Sequence, residues 1–108
     1  MPSNQSLDPN AIVSALDANR IVWKRHAVQR MEERDIKRTD VLTVLRTRDR
    51  IEDYPDDYPY PSALFLGWIG GKPLHVVTAL DAVGNRAIII TVYEPDLEHF
   101  EPDYRTRR

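Results

Sequence analysis

Between Pro73 and Pro95 the chain reads PLHVVTAL-DAVGNR-AIIITVYEP, two apolar runs rich in β-branched residues with a short polar link between them. Each run is too short for most helices, and β-branched side chains suit a pleated strand, so the pattern predicts a β-hairpin turning at Gly84-Asn85. Side chains alternate along a strand. Leu74, Val76, Thr78 and Leu80 are therefore expected on one face with Ile88, Ile90 and Val92, and His75, Val77 and Ala79 on the other beside Ile89, Thr91 and Tyr93. A hairpin apolar on both faces needs cover on both, which places it at the centre of the fold. The His, Thr and Tyr near one rim are the first place to look for chemistry.

The flanking segments define what covers it. Asp8-Pro9 is a helix start, with Asp8 capping, Pro9 at the first helical position and Leu7 able to staple against Ile12, and the helix is expected over 9–19. Ile21-Val22-Trp23 is a brief extended run. A second helix follows over 24–34, with Val22, Ala27, Met31 and Ile36 toward the core and His26, Arg30 and Arg34 at i, i+4 and i+8 on a neighbouring strip. Thr39 is expected to cap a third helix whose buried residues are Val41, Leu42, Val44 and Leu45. Arg50 to Tyr54 predicts an edge strand with a charged outer side. The run YPDDYPYPS has three prolines and three tyrosines. Proline lacks a ladder donor, so this is an ordered turn or extended linker whose tyrosines can form a platform. Ser62 to Ile69 is a further strand, and Gly70-Gly71 a tight turn before the hairpin. The expected architecture is α+β: short N-terminal helices packed on a four-stranded, mainly antiparallel meandering sheet, in a single domain over 1–108 with flexible ends at about 1–7 and 105–108.

Charge divides with the elements. Residues 20–50 sum to +5 and residues 51–104 to −8, although the whole chain is only −2. A segregation of this kind suits one face meeting a polyanion and another meeting a basic partner, as well as two solvated layers. With no cysteine there is no disulfide framework, thiol nucleophile or thiolate zinc site, which suits a reducing cytoplasm. No apolar run approaches the roughly 20 residues that span a bilayer, so no membrane partner is expected. His26, His75 and His99 have neither i, i+4 pairing nor a HExxH-like motif, and Gly70-Gly71 is a turn rather than a phosphate loop. Neither metal nor cofactor is expected.

What the residue types allow is metal-independent cleavage of RNA. That reaction needs a base for the 2′-hydroxyl, an acid for the leaving 5′-oxygen and cations around the phosphorane. His26 or His75 can be base or acid, Arg30 and Arg34 can hold phosphate, and Tyr93 can donate a proton or stack on a base. Each has an ordinary structural role too: a helix-surface histidine, a buried hydrogen-bonding histidine, paired surface arginines and a half-buried tyrosine.

HAVQRMEERDI, the spaced YP-DDYPYPS, the strand with LHVV and the strand ending TVYEPD together resemble a bacterial family of small proteins labelled only as a domain of unknown function. The resemblance covers roughly residues 22–105. In size and element order that family is similar to the RelE-like and BrnT-like toxins of type II toxin–antitoxin pairs, which are ribosome-dependent or free ribonucleases. The resemblance implies a RelE-like sandwich, an RNA or ribosome target and a cognate antitoxin-like partner, with no catalytic set carried over. The rival expectation is a non-catalytic nucleic-acid- or protein-binding module. A homo-oligomer through the exposed edge around Arg50 to Tyr54 is a third.

Overall fold

The computed structural model describes residues 6–108. The elements run α1 (Pro9–Asp17), β1 (Ile21–Trp23), α2 (Arg25–Arg34), α3 (Arg38–Arg46), β2 (Arg50–Tyr54), β3 (Ser62–Ile69), β4 (Lys72–Asp81) and β5 (Arg86–Tyr93). They build one open sheet in the order β1-β5-β4-β3-β2. The α+β class stands, but the sheet has five strands rather than four. The additional strand is Ile21–Trp23, which pairs in parallel with β5 through Ile21↔Ala87, Val22↔Ile88 and Trp23↔Ile89. A three-residue run cannot satisfy its own backbone, and the open edge of β5 offers the missing partners: Ala87 N–H donates to the Arg20 carbonyl (3.0 Å) and Lys24 N–H to the Ile89 carbonyl (3.1 Å). Arg20 secures the junction by donating to the Gly84 carbonyl through Nε and Nη2, at 3.1 and 3.0 Å.

All three helices lie on one face. Ile12, Ala15 and Leu16 of α1, Ala27 and Met31 of α2, and Val41, Val44 and Leu45 of α3 share a core with Ala63, Phe65, Leu74, Val76, Leu80, Ala87, Ile89 and Val92. Val22 is an exception to expectation: as a strand residue paired with Ile88 it belongs to the opposite face. Local capping is as the chemistry asks, with one shift. Asp8 accepts from Asn10 N–H at 2.9 Å at the start of α1, and Leu7 is buried. At α3 the cap is Lys37, not Thr39; the Lys37 N–H is taken by the Asp40 carboxylate at 3.0 Å, so the helix begins earlier than the Thr would dictate. It ends at Arg46, with Thr47 as its C-cap.

Two close approaches fix the layers. A Cβ on Gly67 would lie 2.8 Å from Val44 Cγ2 and 3.0 Å from Val44 Cα, so only a glycine in β3 lets α3 sit this near the sheet. At the hairpin turn Asp81 accepts from Gly84 N–H at 2.9 Å and pairs with Arg86 at 2.9 Å. A Cβ on Gly84 would meet Asp81 Oδ2 at 2.5 Å, so a side chain there would displace that carboxylate.

The hairpin itself departs from strict alternation. His75↔Tyr93, Val76↔Val92 and Val77↔Thr91 hold the expected register, after which Thr78 pairs with Ile89, leaving Ile90 as an extra residue in β5. The bulge inverts every β5 side chain before it. Ile89 and Ala87 join the helix-side core, whereas Ile88 and Arg86 join Ala79 and Asp81 on the other face, the reverse of the expected placement of Ile88 and Ile89. The buried Thr78 hydroxyl donates to the Ile88 carbonyl at 3.1 Å beside the bulge.

That second face is covered by two segments without regular structure. Residues 55–61 lie over the Tyr54 end, and the chain after β5 folds back over the His75 end with Phe100 buried. In the last residues Arg105 donates two bonds to Asp49 (3.0 and 2.6 Å), Arg107 forks onto Glu52, and Arg108 donates to the Phe100 carbonyl at 3.0 Å. Of the N-terminal end expected over 1–7, residues 1–5 lie outside the described residues.

Candidate functional site

His75 stands in the middle strand of the sheet with 0% exposure. Its Nε2 is 2.7 Å from the Tyr104 carbonyl oxygen and its Nδ1 is 3.1 Å from the Tyr93 hydroxyl. A carbonyl only accepts, so Nε2 carries the proton and Nδ1 accepts from Tyr93. Phe100 closes edge-on over the imidazole at 4.7 Å between centroids, with Tyr93 edge-on at 5.1 Å. Burial pushes the His75 pKa down, against the opposing pull of the Tyr104 carbonyl. The ring is neutral and committed at both nitrogens. Burial likewise raises the Tyr93 hydroxyl.

Three further residues complete this cluster and carry no signal at the level of motif. Glu52 accepts from Arg107 Nε and Nη2 and from the Tyr54 hydroxyl. The Arg107 bonds hold the Glu52 carboxyl below its usual range, and burial together with the Glu52 bond pushes Tyr54 up to about 12. Glu52 and Tyr54 are two apart on an edge strand, so alternation places them together. Nothing local announces that Arg107, far along the chain, joins them.

His26, Arg30 and Arg34 all lie exposed on α2, which packs Ala27 and Met31 against the opposite face of the sheet. The five proposed residues therefore form two groups with the sheet between them: His26, Arg30 and Arg34 in one layer, His75 with Tyr93 in the other. Arg34 alone reaches the same end of the molecule, lining a shallow depression with Lys72, Pro73, Leu74 and Glu94, the residue after Tyr93.

The charge on α2 and the start of α3 has a distinctive state. Among the described residues Lys24, Arg25, Arg30, Arg34, Lys37 and Arg38 have no carboxylate within ion-pair distance, whereas Arg50, Arg86, Arg105, Arg107 and Arg108 are each paired. Arg38 lies over the Trp23 ring at 5.0 Å, an arrangement that steadies the guanidinium without neutralising it. Glu52, Asp53, Asp81 and Glu101 of the sheet half are thus held by arginines, and in the helical half Arg46 pairs with Asp17 while the six cations over 24–38 are exposed.

A second concavity lies on the face away from the helices. Its volume is about 440 Å³, and Val22, Ala79 and Ile88 form a floor beneath the Tyr58–Tyr60 segment. Asp96, Glu98 and His99 bring one ligand atom each within 4.8 Å of one another, but all are exposed and His99 Nδ1 is held by Asp96 at 2.8 Å, so the group reads as a capped turn. Strand β2 does lie at a sheet edge, with Arg50 and Asp53 paired at 3.4 Å. No helix among the described residues is long and apolar enough to cross a membrane.

No curated protein and no solved structure matches this chain. One family model does, running from the β1 tryptophan through all of α2, α3 and the antiparallel strands to Glu94 and so including all five of the proposed residues. The family is described as a domain of unknown function, DUF4258, matched over residues 23–94, and the chain belongs to it.

Proposed function

We propose that the protein binds RNA through α2 and the start of α3. The observation that carries this reading is the run of six cations over residues 24–38 that, among the described residues, have no carboxylate partner, in a chain that pairs most of its other arginines. Unpaired arginines and lysines on one helical layer gain free energy from phosphates by releasing condensed counterions, and they do so without base recognition. The test is fluorescence anisotropy with a short single-stranded RNA across a salt series. Binding that weakens steeply with salt supports the reading; no binding at low salt sinks it.

The second reading is a RelE/BrnT-like ribonuclease, the toxin of a type II pair whose antitoxin-like partner masks the same surface. The presence of His75, Tyr93, Glu52, Tyr54 and Arg107 in one cluster favours it, since these types can serve as acid, base and phosphate cation. Against it, both His75 nitrogens are occupied and Phe100 and Tyr104 cover the ring, so catalysis there requires residues 100–107 to move aside. RNA left intact by purified protein, with and without ribosomes, in a buffer where a control ribonuclease acts, would remove it. Arrest of growth on induced expression, relieved by Arg30→Ala, would restore it.

A further inference from the structure

The concavity opposite the helices has a composition that the helical surface does not explain. Its floor is one residue from each of three adjacent strands, Val22, Ile88 and Ala79, brought into line by the parallel β1 pairing and by the bulge that turns Ile88 to this side. Its wall is the segment 57–60, held in place by the Asp57 carboxylate, which accepts from the Ser62 hydroxyl at 2.7 Å and from Tyr58 N–H at 3.1 Å. On that wall Tyr58 is 91% exposed, a large aromatic ring with almost no packing of its own. The charged lining residues are Lys24, Arg86 and Asp57. Arg86 is engaged by Asp81; Lys24 has no ion pair among the described residues and is the first of the six α2–α3 cations.

A flat apolar floor, an uncommitted aromatic ring and a cation at the mouth match one chemical class well. We infer that this groove takes an unpaired nucleotide, the base lying on Val22 and Ile88 against the Tyr58 ring and the phosphate at Lys24. A volume of about 440 Å³ falls in the range of small-molecule sites and exceeds what a bare anion needs. Base–aromatic stacking tolerates any base, so the site selects for a single-stranded nucleotide rather than for sequence. The inference rests on the RNA reading for its biological source, because Lys24 joins the groove to the α2 surface: a strand bound along α2 would place one base over the rim.

The experiment is an amide NMR titration of the full chain with adenosine 5′-monophosphate, adenosine and inorganic phosphate, and with a short single-stranded RNA in the same buffer. The nucleotide should shift Lys24, Ala79, Ile88 and Tyr58 saturably. Adenosine should produce the same groove shifts more weakly, and phosphate should not. Tyr58→Ala should weaken the nucleotide by about fivefold or more, the lower end of what removing one stacked ring costs, while Tyr58→Phe retains it. Tyr58 is exposed, so both variants should keep the dispersed spectrum of the wild type. Equal shifts from phosphate alone, unchanged affinity in Tyr58→Ala, or no groove shifts at millimolar nucleotide would each overturn the inference. RNA that shifts α2 while the mononucleotide leaves the groove silent overturns the groove and spares the RNA surface. Groove shifts with no RNA binding do the reverse.

Discussion

His75 Nε2 donates to the backbone carbonyl of Tyr104 across 2.7 Å, tying the central strand of the sheet to the C-terminal segment. The bond requires a proton on Nε2 and, with Tyr93 donating to Nδ1, a neutral ring. A histidine kept neutral by burial is a liability in acid.

Stability should therefore fall as the pH drops below the ordinary histidine range. The folded pKa of His75 is lowered, so above roughly 6.5, the unfolded value, both states are neutral and the contribution is complete. Below that value the unfolded chain takes up a proton that the folded chain refuses, and stability declines until the folded pKa is reached, by up to about 1.4 kcal/mol per pH unit. Urea unfolding at pH 7, 6 and 5 should show this slope, and His75→Gln should flatten it while lowering stability at pH 7. An unaltered slope in the variant would assign it elsewhere.

Arg107→Ala should act at a different pH. The Glu52 pKa is lowered chiefly by its bonds to Arg107, so its contribution is present above about 4.5 and is lost as the pH falls through the depressed folded value. Because Arg107 is half exposed, the loss at neutral pH should be near ~1 kcal/mol, consistent with a partly screened pair. The variant should also be less sensitive to acid below pH 4.5. A loss no greater than for Arg105→Ala would deny the Glu52 fork any special part.

Gly67→Ala should destabilise by about 1–3 kcal/mol, the usual cost of overpacking, because the new methyl meets Val44 Cγ2 at 2.8 Å. Val44→Ala is a cavity mutation when made alone. In combination the two should be less destabilising than their sum, and simple additivity in a double-mutant cycle would mean that α3 shifts away freely.

Charge reversal at Arg30 and Arg34 should weaken single-stranded RNA and reduce the salt slope by about 1.4, roughly 0.7 for each phosphate no longer neutralised. His26→Ala, on the same strip of α2, should leave binding nearly unchanged if the protein only binds. A ribonuclease using His26 would instead lose turnover with its fold retained.

The four longest strands and all three helices are legible in the chain because each is written locally, as β-branched alternation or as apolar residues at helical spacing, with Asp8-Pro9 marking the first start. The separation of charge is equally legible, as a property of sequence order that the layering preserves. β1 is not, since three residues carry no periodicity and Ile21–Trp23 becomes a strand only when the edge of β5, far later in the chain, is present to bond it. The proposed site shows the same division. Alternation puts His75 and Tyr93 on one face, and they are hydrogen-bonded there because that end of the hairpin keeps strict alternation.

Past Val77 the single extra residue Ile90 exchanges Ile88 for Ile89 across the sheet, and no feature of AIIITV distinguishes which isoleucine a bulge will take. That exchange turns Ile88 toward Val22 and so forms the groove floor. The sheet also separates His26, Arg30 and Arg34 from His75, a fact of layer packing that side-chain spacing within one helix cannot contain. Neighbours along the chain suffice to set every element but β1, their order and the segregation of charge. Which side chains meet is a matter of folding in three dimensions, because the partner of β1, the phase of the bulge and the seat of Arg107 on Glu52 are set by contacts between residues far apart.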